Sequence, residues 1–150
     1  MVTLSVSAQA QAATRQLGQA GNWAVVEQVQ TANSAPASCM IVEPVAAVAI
    51  RSVNQSVDLM VANAHWDLPK GMRGAIRVVI GTHAAAFPAS SASANTAVAP
   101  IDPSVLPSLL NAMAQARSMT VLLFPDMPVL VRPDGFAAML PAFKRCAGLR

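Results

Sequence analysis

Tyrosine is absent from this chain, and Asp, Glu, Lys and Arg together make up only 11% of it. So sparse a charge leaves few side chains for polar catalysis. It also argues against nucleic acid as a partner, which calls for a dense basic patch interleaved with aromatics. Long apolar runs are missing too. The richest candidate, Met119–Val131, is cut by Pro125, Asp126 and Pro128, so no transmembrane helix is expected.

There are two cysteines, Cys39 and Cys146, and they lack the CxxC spacing of common zinc and thioredoxin-like sites. The chain also has no G-x-S-x-G elbow, no GxxxxGK phosphate loop and no GxGxxG fingerprint.

What remains is an apolar chain of single-domain size. Of its 150 residues 54% are apolar, enough to bury a core and too many for disorder throughout. Residues 1–20 read as a flexible arm and 21–150 as one globular domain. The arm carries overlapping Ala-x-Ala triplets at Ala8–Ala12, of the kind signal peptidase reads, without a basic start or a long apolar centre. It is taken as the tail of an export signal, which places the protein in the periplasm or outside the cell. In such a compartment disulfides persist. The two cysteines are then either buried free thiols or one bridge, and the export reading favours the bridge. A Cys39–Cys146 bond would close nearly the whole chain and stabilise it by roughly 4–5 kcal/mol in the chain-entropy picture.

Period-two alternation predicts strands over Trp23–Gln30, Ser38–Glu43, Val45–Arg51, Val57–Asn63 and Ala75–Ile80. On the first, Trp23, Val25, Glu27 and Val29 share a face; on the second, Cys39, Ile41 and Glu43 do. Thr31–Ala37 reads as a turn, and Ser52–Ser56 as the loop of a hairpin. Residues 84–100, built almost entirely of Ala, Ser, Thr and Pro, read as a low-complexity connector with Phe87 pinned to the body. Helical spacing follows from Val105 to about Arg117, with Asp102 as its cap. A short hairpin then joins Thr120–Phe124 to Val129–Arg132 over Pro125–Pro128.

The last predicted element is a helix capped by Asp134, with Phe136, Met139, Leu140, Phe143 and Cys146 on one face. Pro141 should kink or split it. The fold class expected is α+β: mainly an antiparallel β sheet or sandwich with two packed helices.

Chemistry-bearing residues are few. His65 and Asp67 stand two apart and, with His83, are of metal-ligand type, but the set is thinner than zinc prefers. A polar loop is the simpler account. A cysteine–histidine nucleophile is disfavoured by the apolar setting of both cysteines. No spacing singles out a catalytic pair among the seven acidic residues, and the eight methionines are scattered as core filler. No enzyme and no cofactor are expected.

For binding, two places stand out. One is the His65–Arg73 turn, with Trp66, Lys70 and Arg73, where an exposed aromatic beside cations would suit a protein partner. The other is the basic end at Lys144, Arg145 and Arg150. From Arg117 onward five basic residues face two acidic ones, whereas the first 116 residues balance at five against five.

The order of landmarks is also similar to the invasion-associated locus B type of small alphaproteobacterial periplasmic protein. Those landmarks are Trp23, Cys39, the Leu68-Pro69-Lys70-Gly71 turn into Ile76–Ile80, Met119–Phe124, and the closing Gly135-Phe136-Ala137-Ala138-Met139-Leu140. This chain departs from that pattern in having fewer cysteines and Met139 in place of an alanine. The resemblance implies an exported, non-enzymatic, mostly β protein associated with the cell envelope or host contact. The functional expectation is therefore an exported accessory protein that binds a protein or envelope component. A small-ligand or metal-binding periplasmic domain is the alternative, and a hydrolase with an unrecognised site ranks third.

Overall fold

A computed structural model describes residues 13–29, 36–123 and 127–150. The export-signal reading of residues 1–12 lies outside them, as do the end of the first expected strand and most of the expected turn at 30–35, and residues 124–126 at the end of an expected strand and the start of its hairpin loop. The alternation seen in the sequence is realised in strands β2 (Trp23–Val29), β3 (Pro36–Glu43), β5 (Ser56–Ala62) and β6 (Arg73–Ile80), whereas the strand expected over Val45–Arg51 begins later, as β4 (Val48–Val53), after a turn over 44–47 that leaves Val45 exposed. Trp23, Val25 and Glu27 are buried, as are Cys39, Ile41 and Glu43. The β4–β5 loop tightens to Asn54-Gln55, both at positive φ, which suits a two-residue hairpin.

Two expectations are corrected. Residues 13–20, expected in the flexible arm, form the edge strand β1 (Ala13–Ala20) paired with β2. The presumed connector over 84–100 is two strands, β7 (His83–Ser93) and β8 (Thr96–Pro100), in the middle of the sheet. Alanine and serine have poor β propensity, but alternation puts Phe87, Ala89, Ala97 and Ala99 on the buried face, and tertiary burial overrides the local preference. Of the sheet or sandwich expected with two packed helices, the described strands form the sheet. With β9 (Met119–Leu123) and β10 (Met127–Val131) they make one antiparallel sheet, in the order β1-β2-β3-β4-β5-β8-β7-β6-β9-β10, curled into a half-barrel.

The second layer is helical. Helix α1 (Leu106–Ala114) carries the chain from β8 past β7 and β6 to β9, burying Leu106, Leu109, Leu110 and Met113. Helix α2 (Phe136–Ala147) returns from the β10 edge to pack on β1, β2, β3 and α1, burying Phe136, Leu140 and Phe143. Both helices share one core with the inner face of the sheet. No described helix is long and apolar enough to cross a membrane.

Both expected acidic caps do something else. Val105 precedes α1, and Asp102 sits earlier, its Oδ1 accepting from the Ser104 N–H and hydroxyl at 2.8 and 2.7 Å. Those bonds hold its carboxyl below the usual carboxylate range. At α2 the cap position is Gly135, at φ 99°, and the Asp134 side chain makes no cap bond. The reason is crowding. A Cβ on Gly135 would sit 1.8 Å from the Ala20 carbonyl oxygen, and one on Gly21 would sit 2.4 Å from that of Asp134. Pro141 leaves α2 unsplit; it stands on the exposed face, where one lost backbone bond is best tolerated.

That close approach is part of a seam tying the chain beyond β10 to the β1–β2 turn and the end of β3. The Asn22 N–H donates to the Asp134 carbonyl at 2.8 Å, and the Trp23 indole N–H donates to the Arg132 carbonyl at 2.8 Å. The Trp23 ring meets Phe136 edge-on with centroids 4.9 Å apart, worth about 0.5–1.5 kcal/mol beyond area burial. Fully buried Glu43 binds Arg132 at 2.6 Å through Oε1, while its Oε2 accepts from the Ala46 N–H at 2.6 Å.

Removing the two partners of the buried ion pair should have unequal effects. Arg132→Ala strands a carboxylate with no exposure and should cost about 3–5 kcal/mol. Glu43→Gln leaves a guanidinium that is half in water and should cost less, about 1–3 kcal/mol. Urea unfolding of both variants checks the order.

Candidate functional site

The C-terminal turn of α2 is built by local rules. Gly148 takes φ 70°, which reverses the chain after Ala147. The Leu149 N–H then reaches the Lys144 carbonyl at 2.9 Å and the Gly148 N–H reaches that of Arg145 at 3.4 Å, the paired bonds of a Schellman motif. Lys144 and Arg145 also suit the negative end of the helix dipole. The reversal folds Leu149 and Arg150 back toward the sheet.

There the turn borders a cavity of about 360 Å³, within the size range of small-ligand sites. Val57, Ile101, Leu106, Leu110 and Leu149 give it apolar walls, and Pro100, Pro103 and Pro107 stiffen its border. The basic rim is Lys144 and Arg150. No described carboxylate lies within salt-bridge distance of either cation, whereas the cavity's Asp58 is already paired with Arg51 at 3.1 Å. The site is therefore a largely apolar cavity whose lining includes two cations that pair with no carboxylate among the described residues. Two of the three basic-end residues singled out from the sequence, Lys144 and Arg150, line it; Arg145 does not.

No family model, curated protein or solved structure matches this chain. The locus B resemblance thus rests on its sequence landmarks alone, and the site is read from its chemistry.

The other candidate residues are dispersed. Trp66 is half-buried and packed against the core, while His65, Asp67, Lys70 and Arg73 are exposed around it. Their loop is pinned by the Leu68 N–H to the Ala94 carbonyl at 2.6 Å and by the Ser91 hydroxyl to the Pro69 carbonyl at 2.9 Å. His83 lies in the β6–β7 region beside a separate depression that also takes in Arg117. Among the described residues, the ligand-type groups that come within reach of one another are Glu27, Cys39 and Cys146, a set without His65, Asp67 or His83.

Cys39 and Cys146 are bonded, with Cα atoms 5.9 Å apart across a separation of 107 residues. The bond fastens α2 to β3 two residues from Lys144. Sequence reasoning missed the two buried carboxylates, Glu27 and Glu43. The signal was present in the alternation, which put each on the face shared with Trp23 or with Cys39.

Cys39→Ala/Cys146→Ala should lower unfolding free energy by up to about 4–5 kcal/mol. Hydrogen exchange should rise at the Gly148 and Leu149 amides more than along α1. Urea unfolding and residue-resolved exchange test the two parts separately.

Proposed function

We propose that this is an exported, non-enzymatic binding protein for a small amphipathic anion, the chemistry of many cell-envelope components. An apolar tail would lie between α1 and the ends of β5 and β8, with its carboxylate or phosphate at Lys144 and Arg150. The observation that carries this reading is the presence, in one cavity, of apolar walls and two cations without a carboxylate partner among the described residues. Burying an apolar chain supplies affinity, and the cations select the sign of the head group. The Ala-x-Ala triplets and the disulfide support an oxidising compartment. The landmark resemblance points the same way. A protein partner at the His65–Arg73 loop has less support, because Trp66 packs inward rather than standing free as an anchor.

Calorimetry with decanoate as the probe should show saturable one-site binding that weakens as salt rises. Lys144→Glu/Arg150→Glu should weaken it roughly tenfold or more, equivalent to about 1.4 kcal/mol. Leu110→Trp should block the cavity without touching charge, and decanol should bind less tightly than decanoate. Equal binding of decanol and decanoate, or no saturable binding, would defeat the reading.

A further inference from the structure

The remaining unexplained chemistry lies at the other side of the α2 turn. Arg15, Glu27, Cys39 and Ser52 stand directly opposite one another on four successive strands, β1 to β4. Glu27 is 5% exposed. Its Oε1 is held by Arg15, whose side chain is mostly in water. Its Oε2 faces Cys146 Sγ at 3.7 Å. In the disulfide that sulfur has no proton to donate, so the contact is not a hydrogen bond. Among the described residues, no other group donates to this buried oxygen.

We infer that when the Cys39–Cys146 bond is reduced, Cys39 Sγ, Cys146 Sγ and Glu27 Oε2 bind one divalent cation of the zinc class. The three ligand atoms already lie within 4.8 Å of one another. With metal–sulfur bonds of about 2.3 Å and metal–oxygen bonds of about 2.0 Å, tetrahedral ligands stand roughly 3.5–3.8 Å apart. The present oxygen–sulfur distance fits that spacing. The two sulfurs must separate to reach it, by rotation of Cys146 on the last turn of α2. A cavity of about 180 Å³ lined by both cysteines, Ser38 and Ser52 adjoins the pair and is large enough to hold water as a further ligand.

The charges also balance. A dithiol reductant delivers two electrons and two protons, leaving two cysteine thiols and its own disulfide. The incoming cation displaces both thiol protons to solvent. One divalent cation, two thiolates and one carboxylate sum to one negative charge, which Arg15 cancels. The buried cluster is thus neutral both as a disulfide and with the ion bound. In the reduced chain the ion takes over the tether between α2 and β3.

The test uses the full chain reduced with a thiol-free phosphine and titrated with Co²⁺. Thiolate-to-cobalt charge-transfer absorption should saturate at one ion per chain and vanish when Zn²⁺ is added. Zn²⁺ should raise the Tm of reduced protein and leave oxidised protein unmoved. Glu27→Gln should keep the absorption but weaken affinity roughly tenfold or more, at least the loss typical of an outer-shell partner. Absence of the band in reduced wild-type protein, or undiminished affinity in Glu27→Gln, would overturn the assignment. Should that variant fail to fold, X-ray absorption of zinc-loaded wild-type protein decides. Two sulfurs with oxygen neighbours support the site; four sulfurs, or fewer than two, overturn it.

Discussion

A carboxylate with no exposure to solvent needs its countercharge delivered to it, and Arg132 delivers that charge to Glu43 from 89 residues away. Hydrogen bonds within a sheet fix only neighbouring strands; they do not dictate how far ten of them curl. The curl is set where chain from opposite edges meets, and here that is the seam of Trp23, Glu43, Arg132 and the Gly21–Gly135 approach. Each contact there is intolerant of displacement. A buried ion pair loses its Coulombic compensation steeply with separation, and the two glycines approach to distances that no side chain allows. Helix α2 starts immediately after this seam, so its direction is inherited from it.

Much of the sheet was legible because burial of one face leaves a period of two. Trp23/Val25/Glu27 and Cys39/Ile41/Glu43 showed it plainly, and the structure buries those same sets. The partners of the two glutamates were not legible. Arg15 and Arg132 reach them through strand register and edge closure, neither of which is encoded locally. Residues 84–100 failed for a different reason: alanine and serine say little by propensity, and only the neighbouring strands make Ala97 and Ala99 core residues. Asp134 lost its expected cap because packing required glycine beside it, a case of tertiary contact overriding a local rule. The basic end at Lys144 was visible as charge, but the cavity beside it was not. Val57, Ile101 and Leu106 come from separated parts of the chain, and sequence spacing carries no trace of their meeting.

Helix α2 also shows why both its ends matter. At 12 residues it is roughly 18 Å long, a length at which isolated helices are marginal in water, and Pro141 removes one of its bonds. Its N-terminal end is fixed by the Trp23–Phe136 contact and its C-terminal end by Cys146 on Cys39. Between these pins the Phe136, Leu140 and Phe143 face is held on the core. A binding rim on the last turn of an unpinned helix would fray, since that turn lacks the following backbone donors. Here the Schellman bonds and the disulfide hold Lys144 and Leu149 against the cavity. Lys144, Cys146 and Leu149 lie within six residues of one another, so the state of the cysteine pair and the shape of the cavity are set by the same turn. Any rearrangement that frees Cys146 therefore acts on the same turn of α2 that carries Lys144.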